Sequence, residues 1–199
     1  MTIMQTVSGR QINLVQPSPT VITIRDIAHH LALLNRFAGA TALPYSVAQH
    51  STVVAKIAEQ VEDDPLVALQ ALLHDAPEYL TGDIITPMQE ALSSGREQFK
   101  LVESAILTTI HEALGVPMPG FKVSGTIRFA DRKAFATEWR DLMAGRCPVD
   151  HGSPANFPIK PIPWHAAEEK FLKEFDRLSM MAGIRPPKIP PYDISCNDA

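Results

Sequence analysis

One imidazole and three carboxylates fall within ten consecutive positions, His74-Asp75-Ala76-Pro77-Glu78-Tyr79-Leu80-Thr81-Gly82-Asp83, directly after the mostly apolar run Leu66 to Leu73. Apolar surroundings penalise charged carboxylates unless they are paired or hold a cation, and a divalent metal supplies that compensation. A His-Asp pair alone more often caps a helix or faces water. Two further residues change that reading: His50, in Tyr45-Ser46-Val47-Ala48-Gln49-His50-Ser51, and Asp131, in Arg128-Phe129-Ala130-Asp131-Arg132-Lys133. Two imidazoles and two carboxylates make a mixed nitrogen and oxygen donor set. Such a set suits one divalent ion among Co, Mn, Fe, Ni and Zn, with positions left for water and a phosphate oxygen.

The neighbouring polar residues have roles that follow from their chemistry. Glu78 is placed to orient or deprotonate an attacking water, being close to the ligands without being needed as one. Helical geometry continued past Pro77 would put it on the face of His74 and Asp75. Asp83 is placed to assist that water or to protonate a leaving oxygen. Arg36 offers a planar, permanently charged fork for phosphate. Arg128, one helical turn before Asp131, projects toward the side of that ligand, with a surface salt bridge as the alternative. His29 and His30 read as packing or hydrogen-bonding residues, and His111, His151 and His165 lie at no ligand-like spacing.

These residues need helices to carry them. Apolar positions recur three and four apart over Val47 to Glu62, Gly95 to Leu114, Ser124 to Met143 and Trp164 to Ala182. Another helix starts near Asp26 and is expected to end at Gly39. Asp64 and Pro65 start a third segment that carries His74 and Asp75, and Pro77 must kink or end it. The alternating stretch Met4 to Leu14, with Ser8-Gly9-Arg10 at its centre, reads as a short β-hairpin. The chain is expected to be mainly α, with residues 1–183 as a single domain and 184–199 as a proline-rich extended tail. Gly145 to Pro163 carries five prolines and is a lid or, preferably, a surface connection.

Composition narrows the partners. Hydrophobic residues make up 45% of the 199 and charged residues 20%, as in soluble globular proteins. No apolar run approaches the roughly 20 residues that span a bilayer, and Met1 to Gln11 lacks the features of a secretory signal. No membrane role and a cytoplasmic location are expected. The two cysteines, Cys147 and Cys196, form no metal-binding pattern. A formal charge of -4 argues against duplex nucleic acid as partner, while a small phosphorylated ligand needs only a few placed arginines.

The order His50, His74-Asp75, Asp131 resembles the H...HD...D ligand pattern of the HD superfamily of metal-dependent phosphohydrolases. Arg36-Phe37, Glu78, Thr81-Gly82-Asp83 and Pro87 resemble the active-site strings of two groups: bacterial HD 5'-deoxynucleotidases and phage-type HD dATP triphosphohydrolases. The resemblance implies an HD-domain helical bundle with a short N-terminal β-hairpin, a deoxynucleotide substrate, one divalent metal with additional Mg on the substrate phosphates, and a homo-oligomer. It also implies that Phe37 packs against sugar or base, although an aromatic residue at a helix end is more often core. Related sites with two metals need additional histidines after the HD pair, so a mononuclear site is expected. Thr6-Val7-Ser8-Gly9-Arg10, Asp26-Ile27-Ala28-His29 and the segment around His50 look closer to the dATP hydrolases. The leading expectation is therefore hydrolysis of a deoxynucleoside triphosphate, dATP favoured, at the α-phosphorus to deoxynucleoside and triphosphate. Gln89 departs from it, because some relatives carry lysine there. A 5'-deoxynucleotidase acting on monophosphates is the alternative, and a non-catalytic nucleotide-binding regulator a third reading.

Overall fold

The structure, a computed structural model, describes residues 2–92, 95–147 and 150–187. Most of the C-terminal tail expected from the sequence, from residue 188 on, lies outside the described residues. Among the described residues, eight α-helices follow a two-stranded hairpin: β1 Ile3–Gln5, β2 Gln11–Asn13, α1 Ile24–Leu33, α2 Val47–Glu62, α3 Pro65–Leu72, α4 Glu78–Thr81, α5 Thr86–Ala91, α6 Gly95–Leu114, α7 Phe121–Leu142 and α8 Trp164–Met181. The expected mainly helical bundle with an N-terminal hairpin is what forms.

Local chemistry sets the helix ends. Thr23 caps α1 by accepting from Asp26 N, and Ser46 caps α2 by accepting from Gln49 N. Asp64 caps α3 and Pro65 occupies its first position, where a missing N–H leaves no bond unmade. One expectation needs correction: α1 stops at Leu33, well before Gly39. Leu34 turns extended, and Asn35 forms an antiparallel bridge with Ser46, which draws the backbone out of the helix. His74 and Asp75 likewise lie past the end of α3, in a tight turn closed by Ala76 N donating to Leu73 O at 3.0 Å. Pro77 then caps α4.

Helix α2 is the centre of the bundle, packed against α1, α3, α7 and α8. On one side Ile27, Leu31, Leu69, Leu72, Phe171 and Phe175 form the larger apolar core. On the other, Val54, Ile57, Ala71, Ile127, Ala130 and Ala134 seal α2 and α3 against α7. Because both sides are filled, the backbone of α2 has little freedom, which matters for His50 on it. The hairpin pairs Met4 with Ile12 and anchors to the larger core through the fully buried Ile12.

The connection from 150 to 163 is held as a packed strap. Ala155 N donates to Thr137 Oγ1 at 2.8 Å, Ile159 N donates to Asp141 Oδ2 at 2.7 Å, and Gln49 bonds both Lys160 O (2.7 Å) and Ile162 N (3.0 Å). With Ala155 and Ile159 buried, this segment is a surface connection and not a loose lid. Among the described residues no helix is long and apolar enough to cross a membrane.

Candidate active site

Four ligand-type side chains converge from three places: His50 from the first turn of α2, His74 and Asp75 from the turn after α3, and Asp131 from the middle of α7. His50 Nε2 lies 3.3 Å from Asp75 Oδ2 and 3.3 Å from Asp131 Oδ1. His74 Nε2 lies 3.1 Å from Asp75 Oδ2 and 3.9 Å from Asp131 Oδ1.

The outer nitrogens explain why the inner ones face this point. His74 Nδ1 lies 2.8 Å from Ala71 O, which can only accept, so Nδ1 carries the proton. His50 Nδ1 lies 2.6 Å from the Glu138 carboxylate and is a donor for the same reason. In the neutral imidazoles both Nε2 atoms then present lone pairs to the centre, and both are buried without a hydrogen-bond partner. Two orphaned lone pairs beside two carboxylates fit a divalent cation, with ligand atoms of His50, His74 and Asp75 all within 4.8 Å of one another.

The charges around this point agree with such a fit. With no cation present, burial pushes the Asp75 and Asp131 carboxyls up, but His50 and His74 acting as imidazoliums outweigh it and hold both below the ordinary carboxylate range; a bound cation would take over that positive charge and leave the rings neutral. Glu78 behaves oppositely: burial, with repulsion from Asp75 and Asp83, pushes its carboxyl up to about 10. Its Oε2 is buried with no partner. Asp83 is also raised, first by burial. A carboxylate can hold charge at Glu78 only beside a compensating cation.

Arg36 reaches the same point, with Nη1 3.6 Å from Asp75 Oδ2. Burial opposes its charge, but Glu138 and Asp75 prevail and keep it protonated. It opens a short 3-10 turn, Arg36–Gly39, in which Phe37 (φ 56°) and Ala38 (φ 50°) adopt the left-handed conformation. Phe37 is half-buried, 5.5 Å from the Phe135 ring and 6.1 Å from that of Trp139. The Arg36 guanidinium carbon sits 5.5 Å from the Phe37 ring centroid, within cation-π range.

The structure thus gathers His50, His74, Asp75, Asp131, Glu78, Asp83 and Arg36, with Phe37 behind the arginine. Arg128 stands apart. It is exposed and lines a separate cleft of about 590 Å³ with Phe129, Arg132, Lys133 and His151. Sequence reasoning missed three residues. Glu138 is fully buried against His50, Tyr45 donates its hydroxyl to Glu138 Oε1 at 2.9 Å, and Glu103 on α6 is pushed up to about 7 by burial and by Asp75. The available signal was the seven-residue step from Asp131 to Glu138, two turns on one helix face.

A helical bundle that closes an imidazole and carboxylate cluster around α2 has the architecture of an HD-domain metal-dependent phosphohydrolase. A family model described as YfbR-like 5'-deoxynucleotidase matches residues 26–120. Uncharacterized protein YfdR of Escherichia coli (strain K12) is 33% identical over 184 residues, which cover 90% of this chain and 97% of that protein. An uncharacterized protein of Rhodobacter capsulatus is 39% identical over 116 residues, covering 55% of this chain and 57% of its own length. The chain belongs to the YfbR-like 5'-deoxynucleotidase family of the HD superfamily. It is a phosphohydrolase enzyme, and the family implies a divalent metal for the cluster just described. The family match spans Arg36, His50, His74, Asp75, Glu78 and Asp83.

Proposed function

We propose that the chain is a 5'-deoxynucleotidase that hydrolyses deoxynucleoside 5'-monophosphates to deoxynucleoside and orthophosphate. The carrying observation is the convergence of two orphaned Nε2 atoms and two carboxylates beside the guanidinium of Arg36. The leading expectation from the sequence, attack on dATP or another deoxynucleoside triphosphate, gives way to its alternative. The family match favours the monophosphate, and Gln89 already stood against a triphosphate.

In this reading His50, His74, Asp75 and Asp131 hold one divalent ion, which supplies electrophilic polarisation of the phosphate and of water. Additional Mg on the phosphates belongs to the triphosphate alternative. Arg36 grips phosphate oxygens, its charge secured by the carboxylates around it. Water oxygen bonds to phosphorus as the bond from phosphorus to the 5' oxygen breaks. Glu78 receives a proton from the water. Asp83, whose raised affinity for a proton suits a donor, delivers one to the departing oxygen. Phe37 stiffens the arginine and offers a flank to sugar or base, while Arg128, outside the cluster, contributes only at long range. A homo-oligomer in the cytoplasm is part of the same proposal.

The test is product identification after incubation of the purified, metal-loaded protein with each dNMP and dNTP. Deoxynucleoside and orthophosphate from a monophosphate are expected. Tripolyphosphate from a dNTP with no turnover of any monophosphate would reinstate the triphosphohydrolase reading. Orthophosphate with a dNDP would reject both, since it requires attack at the far phosphorus.

A further inference from the structure

A carboxylate in a dry protein interior is expensive unless charges and hydrogen bonds surround it. Glu138 on α7 is such a group, with no solvent exposure, and all its partners belong to the site or its support. Oε1 accepts from His50 Nδ1 at 2.6 Å and from the Tyr45 hydroxyl at 2.9 Å. Oε2 lies 3.3 Å from Arg36 Nε, an ion pair whose alignment falls short of a hydrogen bond. The seven-residue step from Asp131 puts the ligand and this glutamate on one face of α7, against α2.

We propose that Glu138 is a positioning residue that fixes His50 as an Nε2 metal ligand with one oxygen and aims Arg36 with the other. One side chain thereby sets metal affinity and phosphate grip together. The contrast with His74 shows what the carboxylate adds. His74 is oriented by a neutral carbonyl, Ala71 O, whereas His50 donates to an anion, which raises the electron density of the ring and strengthens it as a donor to metal. Tyr45 matters because it saturates Oε1 and stops the carboxylate rotating. Arg36 sits between two anions, Glu138 and Asp75. With Glu138 neutralised it is drawn onto Asp75, away from an incoming phosphate.

The experiment compares Glu138→Gln, Glu138→Ala and the unmodified full chain. The readouts are Co²⁺ affinity by chelator competition, melting of the chelated protein, and kcat and KM on the best monophosphate. Loss of an outer partner of a metal-ligating histidine typically weakens metal binding about 10- to 100-fold, and that is expected for Glu138→Ala. Glu138→Gln keeps an oxygen that accepts from Nδ1, so its Co²⁺ affinity stays within a few-fold while KM rises about tenfold from the mis-aimed arginine. In the zinc-loaded unmodified protein the His50 Nδ1 proton should resonate far downfield and move upfield in Glu138→Gln.

Co²⁺ affinity unchanged in Glu138→Ala overturns the proposal, as does an unprotonated His50 Nδ1 in the zinc-loaded protein. An unchanged KM in Glu138→Gln removes the role toward Arg36. A purely structural role predicts lowered melting in both variants with affinity per folded molecule unchanged. Should Glu138→Ala not fold, the isosteric glutamine variant and the Nδ1 resonance still decide. Only the KM readout rests on the proposed nucleotidase activity, so a failure of that activity is distinguishable from a failure here.

Discussion

Among the described residues, the histidine and carboxylate cluster under the hairpin and the one around α2 and α7 differ in what is left unpaired. Under the hairpin, Asp26 accepts from Ser8 N (3.2 Å), Ser8 Oγ (2.8 Å) and Thr23 Oγ1 (3.0 Å). Next to it His30 Nε2 accepts from Val7 N at 3.1 Å, and its Nδ1 donates to Tyr79 O at 2.9 Å. Every nitrogen of that imidazole is used, and of the described buried polar atoms beside it only the Tyr79 hydroxyl has no partner. Around α2 and α7 the outer nitrogens are equally well held, yet His50 Nε2, His74 Nε2 and Glu78 Oε2 are buried without partners. A satisfied polar network fastens one element to another. A pair of imidazoles held by their outer nitrogens and bare at their inner ones is built around something the chain does not supply.

That comparison is broken most severely at a ligand. His74→Ala is expected to lose the metal and essentially all turnover, whereas His30→Ala keeps its full metal content, as elemental analysis of the two proteins would reveal. Metal retained in His74→Ala would mean that the bare interior is not a metal site.

Next in size is Glu78→Gln, for which turnover should fall by about 10² to 10⁴ with the metal retained, since that is the usual contribution of an acid-base group. The same variant sharpens the electrostatic argument. The Glu78 carboxyl is pushed from an ordinary 4.5 to about 10 in the metal-free fold. A raised acid contributes stability that is complete below its unfolded value and is lost as pH climbs toward the folded one. Melting temperatures of chelated protein should therefore decline between about pH 5 and 9, less steeply in Glu78→Gln, and metal should flatten the decline. Equal slopes in the two chelated proteins would contradict the origin assigned to the shift.

The smallest effect belongs to the satisfied cluster. Asp26→Ala strands donors of the hairpin and the cap of α1, with an expected cost of about 1–3 kcal/mol and no change in metal content. Denaturant unfolding of the metal-loaded and chelated forms would measure both.

Much of this arrangement is legible in the sequence. The bounds of α2 and α6 follow from apolar periodicity, and Asp64-Pro65 announces the start of α3. Of the four proposed ligands, His74 and Asp75 stand out because His and Asp at the end of an apolar run are costly without a use, while His50 and Asp131 are picked out by the H...HD...D pattern that the sequence resembles. The short elements escape, since Arg36–Gly39, α4 and α5 offer too few residues for a period to show. Glu138 escapes for a different reason. A glutamate in a polar helix normally faces water, and only the tertiary contact with α2 buries it. Its partner Tyr45 lies 93 positions away, a separation over which no local pattern operates.

The left-handed turn after Arg36 has a further consequence. Phe37 and Ala38 occupy a conformation that costs an ordinary residue roughly 1–2 kcal/mol. Glycine would remove that cost, but it would also give the unfolded chain about 0.4–1 kcal/mol more conformational freedom, so the net gain is small. What a glycine would take away is stiffness in the mount of the guanidinium. Engineering for heat tolerance that treats this turn as an ordinary flaw would gain little endurance and lose aim.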